Sequence, residues 1–165
     1  MIMASRPPIT LYTDGAASGN PGPGGWGAVL KCGELEKELS GGFALTTNNR
    51  MELLAVICGL EAIKWNGAEV QVVSDSTYVV KAINEGWLAK WVRSGFKKAK
   101  NADLWQRFIV ASSRHSVTFT WVKGHAGHPF NERCDALAVA AYHGENLPDD
   151  EGYLVSKGIA EDTIL

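Results

Sequence analysis

Cysteine is scarce in this sequence of 165 residues, which contains only Cys32, Cys58 and Cys134. An odd and sparse set argues against a disulfide framework in a chain of this length. Cys58 lies in an apolar pattern with helical spacing, which is typical of a small core residue. We therefore expect a fold that depends on one sizeable hydrophobic core, which the length allows.

Long hydrophobic runs are also missing. No apolar stretch approaches the roughly 18–20 residues that a membrane helix needs. The first residues, MIMASRPPIT, are too short and too weakly apolar for a signal peptide. We therefore expect a cytoplasmic protein with no membrane partner.

A strong charge of either sign is the third absence, because 16 basic and 18 acidic residues give a formal net charge of −2. The content of 45% hydrophobic and 21% charged residues is ordinary for a globular domain. A strongly basic chain, as many nucleic-acid-binding proteins are, is excluded. Any binding to nucleic acid must come from a local patch.

The apolar periodicity predicts an α/β fold, in which three strands are followed by a helix, a strand, helices, a strand and a helix. The predicted strands are 9–13, 26–31, 35–43, 70–74 and 117–122, and the predicted helices lie within 53–63, 76–84, 103–112 and 131–142. The glycine- and proline-rich stretch 19–25 is predicted to be a turn. We expect one domain over residues 1–165, with a core at about 8–143 and a partly ordered tail at 144–165.

Four acidic residues lie far apart in the chain: Asp14, Glu52, Asp75 and Asp135. Carboxylates are the preferred ligands of hard divalent cations such as Mg²⁺. Four converging carboxylates can hold two such ions, and a two-metal site can cut a phosphodiester. If these residues meet in space, the chain is a nuclease.

Each acid also has an ordinary structural explanation. Asp14 precedes a glycine and fits a turn, and Glu52 follows Asn49 by three residues, which fits a capping box. Asp75 can cap the helix that follows it, although ligands also collect beyond the ends of such strands. Asp135 can lie on a solvated helix face. Taken singly these explanations outweigh a ligand role, and only the joint pattern favours a metal site.

The segment 123–129, KGHAGHP, contains His125 and His128 after a predicted strand. Two glycines beside two histidines indicate a flexible loop that presents an imidazole. The usual pKa range of histidine suits His125 to general acid/base catalysis or to product release. A zinc site made with Cys134 is the weaker alternative, because the spacing lacks a second cysteine pair.

Two further stretches indicate nucleic-acid binding. The polar run TTNNR, residues 46–50, offers short donors and acceptors for a nucleic-acid backbone or a 2′-hydroxyl. The second stretch, which we call the basic segment, covers residues 87–101 and combines cations with aromatic rings. Its candidate contacts are Trp87, Lys90, Trp91, Arg93, Lys97, Lys98 and Lys100. The alternative is a solvated helix whose Trp87 and Trp91 pack into the core, and we expect one face to pack and the other to bind.

These motifs together resemble ribonuclease HI from about residue 9 to about residue 141. The resemblance is carried by TDGAASGNPGPGGWGAVL, TTNNRMELLAVICGLEA, SDSTYVV, DLWQRF and WVKGHAGHPFNERCDALA. It implies the ribonuclease H-like fold, a five-stranded mixed sheet flanked by helices, whose first three strands form an antiparallel meander.

The resemblance also implies an activity, the hydrolysis of the RNA strand of RNA–DNA hybrids by a monomeric endonuclease. Two Mg²⁺ ions, for which Mn²⁺ can substitute, would act there and leave 5′-phosphate and 3′-hydroxyl ends. The implied metal ligands are Asp14, bridging both ions, Glu52 and Asp75 on one ion, and Asp135 on the other. His125 is implied as the histidine of the catalytic loop. The implied nucleic-acid contacts are Gly15, Ala17, Asn20, Thr47, Asn48, Asn49, Ser76 and Thr77.

The sequence departs from the family in three places. The basic segment is several residues shorter than in the longest bacterial relatives, which predicts a weaker grip on substrate. A separate N-terminal hybrid-binding domain is not expected, because about eight residues precede the first strand. The tail beyond residue 143 carries little family signal.

Two rival functions stay open at this point. One is another phosphodiesterase on the same fold, integrase-like or exonuclease-like, against which the KGHAGHP and TTNNRMEL motifs argue. The other is a hybrid-binding module without catalysis, which the presence of His125 and all four acids makes less favourable.

Overall fold

The computed structural model describes residues 6–97, 99–124 and 127–159. A five-stranded sheet runs through them in the spatial order β3-β2-β1-β4-β5. The strands are β1 (Ile9–Ala17), β2 (Gly22–Cys32), β3 (Leu35–Thr46), β4 (Glu69–Ser74) and β5 (Ser116–Trp121). The first three pair antiparallel, whereas β4 is parallel to both β1 and β5. The predicted mixed sheet is therefore confirmed.

Six helices flank this sheet within the described ranges. They are α1 (Asn48–Glu61), α2 (Thr77–Asn84), α3 (Trp87–Arg93), α4 (Ala102–Ser113), α5 (Pro129–Tyr142) and α6 (Glu151–Ser156). None of the helices in the part of the chain that the structure describes is long and apolar enough to cross a membrane.

The glycines of β2 let helices approach both faces of the sheet. A methyl group on Gly24 would lie 2.6 Å from the Thr46 side chain and 3.2 Å from that of Met51 in α1, whereas one on Gly25 would meet the Ala138 carbonyl of α5. Because neighbouring residues of a strand point to opposite faces, α1 and α5 cover opposite sides.

This close packing explains why β1 and β2 exceed their predicted lengths. β1 continues through Asp14, which pairs with Gly27, and the predicted turn contracts to residues 18–21. Glycine and proline in a sequence favour a turn, but here the close approach of the helices holds the glycines in the sheet. Asp14 therefore lies inside a strand and does not close it.

The core lies between the sheet and α1, which is buried over most of its length. Trp105 of α4 is fully buried and meets Trp91 of α3 with ring centroids 5.6 Å apart. Trp87 stays 40% exposed. One face of this segment therefore packs inward as expected, through Trp91 alone of the two tryptophans. That the other face binds nucleic acid stays a prediction.

The tail has more structure than its polar sequence suggested. Asp150 and Tyr153 are buried, and the Ala44 amide of β3 donates to the Pro148 carbonyl at 2.9 Å. Polar contacts to the core hold this segment, so apolar periodicity gave little sign of it. That residues 1–165 form one domain stays a prediction.

Candidate active site

Three acidic side chains meet at one end of the sheet. Asp14 belongs to β1, Asp75 follows the end of the parallel neighbour β4, and Glu52 lies in α1. One carboxylate oxygen from each residue lies within 4.8 Å of the others. Adjacent parallel strands end at the same edge of a sheet, which brings Asp14 and Asp75 together.

The fourth acid, Asp135 of α5, lines the same cleft, which has a volume of about 400 Å³. It lies outside the group of three whose oxygens approach within 4.8 Å. The four predicted acids thus share one cleft, with Asp135 at a greater distance. The predicted contact residues Gly15, Asn48, Asn49, Ser76 and Thr77 also line it.

The backbone of Gly15 holds two of these acids. Its N–H donates to Asp14 Oδ1 at 2.9 Å and to Glu52 Oε1. A Cβ at this position would collide with the backbone of Met51 and Glu52, so only glycine lets β1 approach α1 so closely.

Glu52 does not serve as the capping residue that its spacing from Asn49 suggested. The N-cap of α1 is Thr47, whose Oγ1 accepts a hydrogen bond from the Arg50 amide at 3.3 Å. The capping-box explanation is therefore wrong. The Glu52 carboxylate points instead to Gly15 and the cleft.

Asp75 does not cap the helix that follows it, α2. Ser76 caps α2, since its side chain accepts from the Val79 amide at 3.2 Å. The Trp121 indole N–H donates to the Asp75 carbonyl at 3.1 Å, and a methyl on Gly124 would lie 2.7 Å from Asp75 Oδ2. The strand β5 and the chain after it therefore hold Asp75 in place.

Burial and mutual repulsion make this cluster electrostatically costly. Burial, reinforced by the nearby charge of Asp75, raises the pKa of Asp14 to about 7. Burial also raises the pKa of Glu52, and the Asp14 charge adds to that effect. None of the ion pairs in the described ranges involves any of the four acids. A cation would relieve the repulsion, and an all-oxygen donor set fits a hard divalent ion.

Two residues of the polar run TTNNR, Asn48 and Asn49, line the cleft, whereas Thr46 and Arg50 are buried. Asn20 Oδ1 accepts from the Asn48 amide at 3.1 Å, which ties the β1–β2 turn to the start of α1. Asn48 and Asn49 are exposed, so their side chains are available to a ligand. Thr47 caps the helix, and Ala17 ends β1.

The basic segment lies outside the cleft lining. Lys90 and Arg93 belong to α3, and Lys97 and Lys100 follow it, all four exposed. Lys98 and His125 lie outside the described residues, so their predicted roles stay predictions.

The zinc alternative gains no support. Within the described ranges the one group of histidine, cysteine or acidic residues that could hold a metal is Asp14, Glu52 and Asp75. Burial raises the pKa of the Cys134 thiol to about 12, which disfavours the thiolate that zinc binds. His128 lies at the N-cap of α5.

Sequence reasoning missed several residues around the cleft. Tyr78 lines it, and its hydroxyl accepts from Trp105 Nε1 at 2.8 Å and from Asn101 Nδ2 at 3.0 Å. Trp121 and Gly124, which lie against Asp75, were missed as well. Nothing in local periodicity marks these residues, because their contacts come from distant parts of the chain.

Comparison with known proteins agrees with this geometry. A family model described as RNase H matches residues 6–143. The chain belongs to the ribonuclease H family. Ribonuclease H of Nitratidesulfovibrio vulgaris (strain DP4) is 53% identical over 150 residues, covering 88% of this chain and 96% of that protein. Ribonuclease H of Sulfurovum sp. (strain NBC37-1) is 58% identical over 138 residues, covering 84% and 92%.

Solved structures of ribonucleases H share the fold. LC9-RNase H1, a type 1 RNase H with the type 2 active-site motif, has a TM-score of 0.77 at 29% identity and covers 96% of this chain and 85% of its own. LC11-RNase H1, solved in complex with an RNA/DNA hybrid, has a TM-score of 0.60 at 28% identity, covering 82% and 96%. The ribonuclease H-like fold is confirmed, and the chain is an enzyme, an endoribonuclease of this family.

Proposed function

We propose that this chain cleaves the RNA strand of RNA–DNA hybrids endonucleolytically, leaving 5′-phosphate and 3′-hydroxyl ends. The observation that carries the proposal is the meeting of Asp14, Glu52 and Asp75 in a cleft that Asp135 also lines. The hybrid bound to LC11-RNase H1 supports the same substrate class.

The four carboxylates would hold two Mg²⁺ ions, with Mn²⁺ as a substitute. Bound in such a site, divalent ions lower the pKa of an attacking water and stabilise the leaving oxygen. Asp14 is the best candidate to bridge two ions, because it shares the Gly15 N–H with Glu52 and the charges of both Asp75 and Asp135 act on it. Glu52 and Asp75 would share one ion, with Asp135 on the other.

The protein's own contribution is to keep these oxygens in place before substrate arrives. Gly15 fixes Asp14 and Glu52 through its N–H, and Trp121 fixes the backbone of Asp75. Groups that are oriented in advance lose little freedom when the reaction occurs. His125 would assist proton transfer or the release of product.

Substrate choice requires 2′-hydroxyls on the strand that is cut and their absence on the other. Short polar groups that reach a minor groove can detect this difference. Asn48 and Asn49 line the cleft beside Ser76 and Thr77, and Asn20 accepts from the Asn48 amide; together with Thr47 they would make these contacts. Gly15 and Ala17 offer backbone at the same edge.

The experiment that tests this function compares labelled RNA–DNA hybrid, double-stranded RNA and double-stranded DNA, each with Mg²⁺ and with EDTA. We expect cutting of the hybrid alone, in its RNA strand and only with metal, giving products that carry 5′-phosphates. Binding of hybrid without cutting would favour a non-catalytic module, and cutting of DNA would favour a different phosphodiesterase. We further propose that the enzyme acts as a monomer, which light scattering tests; a cytoplasmic location stays a prediction.

A further inference from the structure

Arg50 is fully buried in α1, two residues before Glu52, and no part of the proposed function uses it. Its Nε and Nη2 donate to Asp150 at 2.7 and 2.9 Å. Its Nη1 and Nη2 donate to Asp103 at 2.8 and 2.7 Å. A buried arginine with two carboxylates is costly to assemble and costly to break, so this arrangement needs a reason.

The two carboxylates come from different parts of the fold. Asp103 opens α4 and its side chain is 46% exposed, whereas Asp150 precedes α6 and its side chain is 9% exposed. Asp150 also accepts from Thr46 Oγ1 at 2.6 Å, at the end of β3. Asp150 therefore connects the tail to Thr46 and Arg50, which lie before and after Thr47 in the sequence.

The tail backbone packs directly on this ion pair. A methyl group on Gly152 would collide with the Asp103 carboxylate and lie 2.8 Å from Arg50 Nη2. Asp150 caps α6 by accepting from the Tyr153 amide at 3.4 Å, and Tyr153 is buried. The segment 148–156 is thus fitted to Arg50 by charge and by shape.

Arg50 passes these constraints to the cleft by two routes. Its amide donates to Thr47 Oγ1, which fixes the first turn of α1 next to Asn48. Its Nη1 donates to Asn101 at 3.4 Å, and Asn101 donates to the hydroxyl of Tyr78, which lines the cleft.

We infer that segment 148–156 is a clasp that sets the first turn of α1 through Arg50, so that Asp150 is a positioning residue for substrate contact by residues 47–49. This inference rests on the proposed function, since it concerns the same contact residues. The clasp affects the binding of hybrid and leaves the metal-binding carboxylates in place, because the Gly15 N–H orients Glu52 independently of Arg50.

The decisive variant is Asp150→Asn, with Asp149→Asn as its control, because that exposed neighbour carries the same charge. Arg50 keeps Asp103, so Asp150→Asn is expected to fold. We expect its KM for hybrid to rise about fivefold or more while kcat changes less than about twofold, the signature of weakened substrate binding. Gly152→Ala disturbs the clasp by shape alone and should show the same split.

A purely structural role of Asp150 is tested by comparison with Val70→Ala. This variant removes buried methyl groups at the end of β4 away from Asp75 and so lowers stability without touching the clasp. All variants are assayed at temperatures where each is fully folded. If Asp150→Asn and Gly152→Ala lower the Tm as Val70→Ala does and keep the wild-type KM, the clasp inference is overturned.

Amide hydrogen exchange tests the clasp without any enzyme assay. The amides of Asn48 and Arg50 should exchange about tenfold faster in Asp150→Asn than in Asp149→Asn, because the first turn of α1 loosens. Unchanged exchange overturns the inference. If the wild type does not cut hybrid, the proposed function fails and these exchange rates alone decide on the clasp.

Discussion

At the scale of single residues, Asp14 is the acid whose replacement tests the metal site most directly. We expect Asp14→Asn to lower the rate of Mg²⁺-dependent cleavage by more than about 100-fold. Mutation of a group that only supports a metal ligand already lowers metal affinity or activity by about 10–100-fold, and Asp14 is itself a proposed ligand. Burial holds the pKa of Asp14 near 7, so its removal relieves repulsion, and the metal-free Tm at pH 8 should not fall. Single-turnover cleavage and thermal unfolding measure the two effects. Retained activity would contradict the ligand assignment.

Gly124 offers a second test, on the support of Asp75. The methyl of Gly124→Ala would lie 2.7 Å from Asp75 Oδ2, so the carboxylate must turn away. We expect about tenfold weaker Mg²⁺ binding in calorimetry, in the range known for supporting groups, and an unchanged fold. Gly144→Ala, at a residue that does not line the cleft, is the control. Equal affinities in both variants would show that Asp75 tolerates the shift.

At the scale of elements, α1 combines roles that its sequence reveals only in part. The polar run and Glu52 stand out as unusual, which is why the cleft could be predicted from motifs. The buried role of Arg50 could not, because its partners lie 53 and 100 positions away. Local propensity likewise assigned Glu52 to a cap, whereas a tertiary hydrogen bond from Gly15 holds it.

The strands show the same division between local and distant information. Apolar patterns located all five strands: alternation, as in 9–13 and 117–122, marks a strand that is half buried on the pleated sheet, and apolar residues on both faces, as in 70–74, mark a central strand. The ends of β1 and β2 could not be read from sequence, since glycines that favour turns are held there by the helix packed against them. The tail was underestimated because its anchors, Asp150 and Gly152, are polar or small.

The basic segment is the element whose proposed function depends least on contacts within the protein, because its lysines are exposed. Replacing Lys97 and Lys100, both exposed, with alanine should raise KM about threefold to tenfold at low salt, because interactions with phosphates supply sequence-independent affinity. The slope of log KM against log salt should fall by about one for each lysine–phosphate interaction that the substitutions remove. Steady-state cleavage of hybrid across a salt series measures both. The control is a Lys37→Ala and Lys64→Ala double variant, which removes two exposed lysines elsewhere. An equal rise in KM in this control would show that the basic segment contributes only through the overall charge of the protein and makes no specific contact with the hybrid.

At the scale of the whole molecule, the sheet separates the cleft from a pH-sensitive contact at its other end. His115 precedes β5, and its Nδ1 accepts from the Ala68 amide at 3.1 Å, just before β4. The buried Nε2 has no hydrogen-bond partner among the described residues. Burial, with the nearby charge of Arg114, lowers the pKa of His115 below its usual value. Protonation would also place a hydrogen where Nδ1 now accepts one.

The sign of the pH effect on folding follows from this lowered pKa. Above a pH of about 6.5, the usual pKa of histidine, the side chain is neutral in the folded and unfolded states, and its contribution to stability is complete. As the pH falls, the unfolded chain takes up the proton first, so the free energy of unfolding falls until the folded state is protonated too.

His115→Asn keeps an acceptor for the Ala68 amide without titrating, so its stability should depend less on pH than that of the wild type between pH 7 and 5. Urea unfolding at several pH values, with the exposed His143→Asn as control, measures the difference, and parallel curves for wild type and His115→Asn would rule out this contact as the source. Since His115 lies at the end of β4 opposite Asp75, the loss should appear in stability while Mg²⁺ affinity stays the same in wild type and His115→Asn at each pH.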